Sequence, residues 1–215
     1  SIAVTPNDEV LVSGSYRGDI DLGNTTAMTS GHSGVTTYVS RRDSMGGFIW
    51  QRSYGEARAD DPNTASRTYV AELATDSDGN AIITGKFDDK VNFGTGLLTA
   101  PAYNNAPSYN IFVAKIATNG NGLWAKNWGN ELGSQEGTAV AVEANSNNIF
   151  IGGLARLTPT YPSFALESGV SLTTVGTDKC HPFVVKLTAG GDHLYNHLID
   201  TRYCSSVSYT HLRAH

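Results

Sequence analysis

The sequence predicts an all-β fold in which one structural unit occurs three times. Runs rich in Val, Ile, Thr and Tyr alternate with turns rich in Gly and Asn, a composition typical of short strands. Few stretches carry apolar residues at the spacing of a helix. A pattern of several such strands recurs about every 70 residues, and a fixed period of this kind indicates a repeat architecture.

Three sequence elements define the repeat and keep the same register in every copy. They are a β-branched run that ends in glycine, a run that begins with an aromatic residue, and a run with an aromatic residue after Ile or Leu. We predict structural roles for the nine residues at these positions: Gly14, Gly85 and Gly153, then Tyr38, Phe112 and Phe183, then Trp50, Trp124 and Tyr195. The Gly- and Asn-rich turns between the second and third elements favour antiparallel hairpins.

A further strand precedes the glycine-ended run in every copy, so each unit is predicted to have four antiparallel strands. Such units in series are typical of β-propeller blades, in which radial packing covers both faces of each sheet. That burial explains runs such as residues 111–114, Ile-Phe-Val-Ala, which do not alternate between apolar and polar side chains. The rival architecture, a two-sheet sandwich, is not expected to repeat one pattern three times.

The predicted blades span residues 1–68, 69–137 and 138–204, followed by a tail at 205–215. Strands are predicted near residues 1–5, 9–16, 36–42, 48–54, 70–75, 80–87, 110–117, 122–128, 138–143, 148–154, 182–188 and 193–199. Because closed propellers have about four to eight blades, we expect three blades to form an open arc. Such an arc would expose an apolar face at each end.

The second copy carries the clearest series of repeat motifs. They lie at residues 79–87 (Gly-Asn-Ala-Ile-Ile-Thr-Gly-Lys-Phe), 91–94 (Val-Asn-Phe-Gly), 110–116 and 121–126. In this order the motifs resemble the bacterial β-propeller repeat called SBBP, and the resemblance covers most of residues 1–203. Residues 21–23 match residues 92–94 in the first copy, whereas residues 158–172 of the third copy show no clear counterpart. The resemblance implies a large exported or cell-surface bacterial protein, and it supplies no catalytic residues.

The repeat pattern is incomplete at both ends of the sequence. Residue 1 starts inside a strand pattern without Met or a signal segment, so we expect the natural N-terminus to lie upstream. Residues 207–215 resemble a translated sequencing-adaptor read-through. We therefore expect 205–215 to be a non-native, loosely packed tail without a function for its histidines.

The composition limits the classes of partner. A formal net charge of −5 and a pI near 5.6 provide no basic surface, so nucleic acid is not an expected partner. No stretch approaches the roughly 18 apolar residues that a membrane-spanning helix needs. The expected partner is a protein or a glycan at the cell surface.

No metal site is predicted. The segment Asp76-Ser77-Asp78-Gly79-Asn80 lacks the glycine and the acidic residue that an EF-hand loop requires farther along, so it is interpreted as a turn between strands. Soft ligands are concentrated only at Cys180, His181, His193, His197 and Cys204. His193 and His197 fall in a predicted strand, where residues four apart are separated by about 13 Å. A Cys180–Cys204 disulfide stays open at this point.

No catalytic or cofactor-binding residues are predicted either. The acidic pairs at 60–61, 88–89 and 131/136 are not interpreted as catalytic pairs. Adjacent residues of a strand point to opposite faces, and acidic residues in loops at the rim of a blade are usually just solvated. The sequence has no nucleophile elbow and no phosphate loop. Trp50, Trp124 and Trp128 are interpreted as packing residues between blades, not as sugar platforms.

The leading hypothesis is a non-catalytic repeat scaffold of an exported bacterial protein, which presents loops for protein or glycan contact. The alternative is a part of a propeller hydrolase or lyase, or an accessory domain of a secreted enzyme. The fold alone does not decide between them.

Overall fold

In the computed structural model, residues 1–23, 26–30, 34–55, 66–101, 108–131, 134–174 and 179–199 are described. These residues form strands and turns, with no helix among them. The strands are β1 (Ile2–Val4), β2 (Val10–Tyr16), β3 (Asp19–Ile20), β4 (Met28–Thr29), β5 (Thr36–Arg42), β6 (Phe48–Tyr54), β7 (Thr68–Thr75), β8 (Ala81–Phe87), β9 (Lys90–Asn92), β10 (Leu97–Thr99), β11 (Asn110–Ile116), β12 (Gly122–Trp128), β13 (Gln135–Val142), β14 (Ile149–Leu157), β15 (Ser163–Glu167), β16 (Val170–Thr173), β17 (Lys179–Leu187) and β18 (His193–Leu198).

Twelve of these strands form three antiparallel sheets of the same topology. The orders are β1-β2-β5-β6, β7-β8-β11-β12 and β13-β14-β17-β18. The all-β prediction and the prediction of four-stranded blades are therefore confirmed. Each predicted strand corresponds to one of the twelve, with ends that differ by a few residues.

Six further strands were not predicted. They form a small hairpin between the second and third strands of each sheet: β3-β4, β9-β10 and β15-β16. Each contains only two to five residues. Runs this short carry too little periodicity to be recognised from sequence.

The hairpin of the third blade corrects one sequence expectation. Residues 158–172 were expected to lack a counterpart of the Asn92-Phe93-Gly94 motif, but they contribute β15 and most of β16. The ring of Phe164 lies 6.5 Å from that of Phe183, much as Phe93 lies 4.9 Å from Phe112 in the second blade. The structural element is thus retained in the third blade, although its sequence has changed.

The apolar cores lie between the sheets. In the second blade, Ile83 and Phe112 face the first blade, whereas Ile82 and Val113 face the third blade. Because neighbouring residues of a strand point to opposite faces, a sheet covered on both sides needs apolar residues at successive positions. This arrangement accounts for the buried run of β11 that does not alternate.

The three blades form an open arc, as expected. Their first strands approach one another, since β7 contacts both β1 and β13, so these strands are the innermost of each blade. At the end formed by the first blade, Ile2 is 67% exposed, whereas Leu73, its equivalent in the second blade, is 4% exposed. The proposed blade boundaries stay a prediction, and the tail 205–215 lies outside the described residues.

Candidate functional site

The repeated glycines lie beneath the repeated aromatic rings. The two residue types are direct partners across neighbouring strands in all three blades: Gly14 with Tyr38, Gly85 with Phe112 and Gly153 with Phe183. A Cβ atom added at these glycines would come within 2.7, 2.9 and 2.5 Å of the respective rings. The glycine makes room for the ring within its own sheet, and in the second blade this ring, Phe112, belongs to the core shared with the first blade.

The repeated tryptophans contact the following blade. Trp50 donates its indole N–H to the Thr118 carbonyl oxygen at 2.7 Å, and its ring packs on Gly120. Trp124 repeats the contact, with a hydrogen bond of 3.2 Å to the Ala189 carbonyl and packing on Gly191. Tyr195, the equivalent residue of the third blade, is 45% exposed.

A cation occupies the same position in the third strand of each four-stranded sheet. In the first two blades this cation also contacts the next blade. Arg41 pairs with Glu9 in its own blade and donates to the Gly79 carbonyl oxygen of the next blade at 2.8 Å. Lys115 lies 2.9 Å from Asp76 and donates to the Ala189 carbonyl of the next blade at 3.1 Å. In the third blade the equivalent cation is Lys186, which lies 3.5 Å from Glu143.

Asp76 organises the turn that joins the first two strands of the second blade. One carboxylate oxygen accepts the backbone N–H groups of Asp78 and Asn80 at 3.1 and 2.8 Å, and the other accepts from the Asn80 side chain at 2.9 Å. Burial alone would raise the pKa of Asp76, but the hydrogen bonds from Asn80 and Lys115 outweigh it and lower the pKa. The residues 76–80 thus form the expected turn, in which both carboxylate oxygens have protein donors.

The concentration of soft ligands belongs to the third blade. His193 and His197 lie in β18, a strand and not the helix that a zinc-protease signature requires, and His193 is 2.8 Å from the Asn196 side-chain oxygen. Cys180 in β17 is disulfide-bonded, whereas Cys204 lies outside the described residues. Within the described ranges, no three His, Cys, Asp or Glu side chains are grouped so that they could hold a metal ion.

The acidic residues considered for catalysis, where the structure describes them, interact with different partners and not with each other's pair member. Asp88 is buried and accepts hydrogen bonds from the backbone and the side chain of Arg67, both at 2.6 Å. Glu136 pairs with Lys86 at 3.1 Å, while Glu131 accepts a long hydrogen bond of 3.5 Å from the Tyr161 hydroxyl. Asp89 lies in a left-handed turn with φ of 62°. The pair at residues 60–61 lies outside the described residues.

A cleft of about 370 Å³ opens where the three innermost strands end, and we call it the axial cleft. All three blades line it, through Val4, Thr5, Pro6, Thr75, Asp76, Ser77, Val142, Ala144 and Asn147. Ser77 and Asn147 join the second and third blades across it, with hydrogen bonds of 3.0 and 2.7 Å. The sequence carried a signal for this site, because these residues flank the same turn in each repeat, but only the arc brings the turns together.

A second cavity, of about 570 Å³, lies farther out between the first and second blades. It is lined by the end of β6, the hairpin motif at residues 92–94 and the turn at residues 120–122. The Tyr54 hydroxyl on its wall is buried, and burial raises the pKa of this residue far above its ordinary value. The cavity is bounded by residues of the interblade packing.

An aromatic and cationic cluster lies at the opposite end of the second blade. Tyr69 and Tyr109 meet edge to face at 6.1 Å, and the Lys86 ammonium lies 5.9 and 5.2 Å from their ring centres. Arg67 lies 5.1 Å from the Tyr109 ring, and burial raises the pKa of Tyr109 to about 12. The ring faces thus carry cations of the chain itself, which makes them poor platforms for a sugar.

Comparisons with known proteins support the repeat architecture at a coarse level. No family model matches the chain, so the narrower SBBP resemblance has no support from that source. The chain is similar to a curated relative described as "Uncharacterized WD repeat-containing protein L264", from Acanthamoeba polyphaga mimivirus. The two are 26% identical over 164 residues, which cover 71% of this chain but 11% of the relative. Across the described residues there is no helix of the length and apolarity needed to span a bilayer. Similarity to a WD-repeat protein and three stacked four-stranded sheets together indicate a β-propeller repeat.

Proposed function

We propose that the chain is a non-catalytic propeller scaffold that binds a segment of a partner protein in the axial cleft. The observation that carries this proposal is the convergence of three equivalent turns, one from each blade, on one concave surface. The similarity to a WD repeat-containing protein supports a repeat scaffold, and β-propellers expose such surfaces at the ends of their blades.

The side chains of the axial cleft define the chemistry of the partner. Val4 and Val142 supply apolar wall, while Ser77 and Asn147 supply polar groups that can meet a peptide backbone. The neighbouring turns carry Asp8 and Asp78 side chains in exposed positions. An apolar residue flanked by Lys or Arg in an extended segment is complementary to this surface.

A protein partner is favoured over a glycan. Flat sugar faces stack on exposed aromatic rings, and the described axial cleft has no aromatic side chain among its lining residues. The tyrosine pair of the second blade is covered by Lys86 and Arg67. Export from a bacterium and display at the cell surface form part of the proposal, and they rest only on the SBBP-like motifs, which are clearest in the second copy.

Selection from a displayed random-peptide library on the immobilised chain tests the proposal. We expect enriched peptides with an apolar residue next to basic ones, and at least tenfold weaker binding to Ala144→Arg, whose side chain would project into the cleft. The control is Met45→Arg, which adds the same charge at an exposed turn residue outside the cleft. Equal loss in both variants, or binding that is unaffected by Ala144→Arg, would contradict the cleft as the site. A parallel glycan array that gave the only cleft-dependent binding would replace the protein partner by a glycan.

A further inference from the structure

The first blade carries the tripeptide Arg17-Gly18-Asp19 directly after its second strand, and we call this segment the RGD turn. We propose that the RGD turn docks a protein receptor that binds the arginine in an acidic pocket and the aspartate through a divalent cation. The inference goes beyond the proposed function, because the RGD turn and the axial cleft lie at opposite ends of β2. The seven residues of β2 separate them by about 20 Å, so both sites can be occupied at once.

The three residues of the RGD turn are all exposed. Arg17 follows the last residue of β2, and Asp19 is the first residue of β3, so the turn joins the large sheet of the first blade to its small hairpin. The two charged side chains are thus accessible on one short turn, with a single glycine between them. A receptor can contact both groups together without any rearrangement of the core.

Hydrogen bonds to Ser30 fix the backbone of the RGD turn. The Gly18 N–H donates to the Ser30 hydroxyl at 3.1 Å, and the Gly18 carbonyl oxygen accepts the Ser30 backbone N–H at 2.9 Å. Gly18 lies in the left-handed region with φ of 73°, which residues with a side chain rarely adopt. A segment that is held in one conformation before it binds loses little conformational entropy on binding.

The fold requires the conformation of this turn but not its charges. In the second blade, Asp89 occupies the position of Gly18 and keeps a left-handed φ of 62°, and its carbonyl oxygen likewise accepts a backbone N–H, from Ala100 at 2.7 Å. Asp88, which occupies the position of Arg17, is buried and carries the opposite charge. The turn is therefore part of the repeat, whereas the sequence Arg-Gly-Asp occurs in the first blade alone.

The third blade shows that a preceding blade leaves this position accessible. Arg156 occupies the position of Arg17, three residues after the repeated glycine. It is exposed, as are Pro159 and Thr160 of the turn that follows, although the second blade packs against the third. The exposure of the RGD turn is thus consistent with its place at the end of a blade, and it does not depend on an open end of the arc.

The two charged groups of the RGD turn define the chemistry of the receptor. The planar guanidinium group of Arg17 forms bidentate pairs with carboxylates, so an acidic pocket is complementary to it. The carboxylate oxygens of Asp19 are favourable ligands for Mg²⁺ or Mn²⁺ with an open coordination position. Metal-dependent adhesion receptors recognise this combination, an arginine and an aspartate on either side of one glycine. The partner class is therefore a cell-surface receptor of this kind.

Surface plasmon resonance of the 215-residue chain over a panel of immobilised integrin ectodomains that bind Arg-Gly-Asp ligands, in buffer with Mn²⁺, tests the proposal. We expect saturable binding to at least one of them, which EDTA abolishes and a soluble Gly-Arg-Gly-Asp-Ser peptide displaces. Asp19→Glu keeps the charge but moves the carboxylate by one methylene group. This variant and Arg17→Gln should each weaken binding by about tenfold or more.

Matched variants at other exposed positions provide the controls. Asp78→Glu and Arg52→Gln make the same chemical changes outside the RGD turn and should bind like the unmodified chain. Ala144→Arg, which blocks the axial cleft, should also bind the receptor unchanged, so this proposal and the proposed function can fail separately. All replaced charged residues are exposed, so circular dichroism should show an unchanged sheet content. Absence of saturable binding to the whole panel, binding that resists EDTA, or binding that Asp19→Glu leaves unchanged would each overturn the proposal.

Discussion

Replacing Lys115 by methionine should weaken the junction between the second and third blades by about 3 kcal/mol. The Lys115 ammonium group lies 2.9 Å from the Asp76 carboxylate and 3.1 Å from the Ala189 carbonyl oxygen, and 9% of its side chain is exposed. Removing one partner of a buried ion pair costs about 3 to 5 kcal/mol, because the other charge stays buried. Asp76 keeps donors from Asp78 and Asn80, so the lower value is expected.

Lys126→Met is the matched control for this prediction. Lys126 also links the second and third blades, but it lies 3.9 Å from Glu167 and both side chains are about one third exposed. Exposed pairs contribute about 0 to 1 kcal/mol, so the control should change the free energy of unfolding by less than about 1 kcal/mol. Urea denaturation followed by tryptophan fluorescence measures both variants. Equal losses, or a loss under about 1 kcal/mol at Lys115, would refute the reasoning.

Two further predictions address the turn and the repeated glycine. Because the folded-state pKa of Asp76 is lowered, its contribution to stability is complete above the unfolded pKa of about 3.9 and is lost as the pH falls through the folded value. The urea midpoint of the Asp76→Asn variant should therefore differ less between pH 7 and pH 3 than that of the unmodified chain. An equal difference in the two proteins would contradict this role. Gly153→Ala places a Cβ 2.2 Å from the Glu136 carbonyl oxygen and should cost about 3 kcal/mol or more, while Gly152→Ala meets nothing nearer than 3.6 Å and should stay within about 0.5 kcal/mol. Thermal denaturation of this adjacent pair checks the contrast, and similar melting temperatures would remove the steric argument.

The twelve sheet strands were predictable because a repeat provides the same evidence three times. A run such as residues 81–87 is ambiguous alone, but its copies at residues 10–16 and 149–154 carry the same glycine at the same position. The small hairpins were not predicted because their sequences do not repeat clearly from one blade to the next. In the third blade the hairpin is kept by the packing of Phe164 on Phe183, and this contact leaves no shared motif in the sequence.

The contacts between blades were predictable in kind but not in geometry. Trp50 and Trp124 were assigned to interblade packing, yet the sequence does not indicate that the indole N–H reaches a carbonyl oxygen in a turn of the next blade. The cations at positions 41, 115 and 186 recur in the same register and were an unused signal. Their partners are distant in sequence, since Lys115 and Ala189 are 74 positions apart, so only the folded arc identifies them.

Residues that recur in every blade and residues that differ between blades have different roles. The recurring glycines, rings and cations are occupied by packing within and between blades, so they identify the fold. The axial cleft is formed at equivalent turn positions by Pro6, Ser77 and Ala144, three different side chains at one structural position. Since interblade packing does not require these residues to match, their differences leave the cleft asymmetric, and an asymmetric cleft can bind a partner segment in one direction. Specificity for a partner should therefore be sought at the positions where the repeat is broken on this surface.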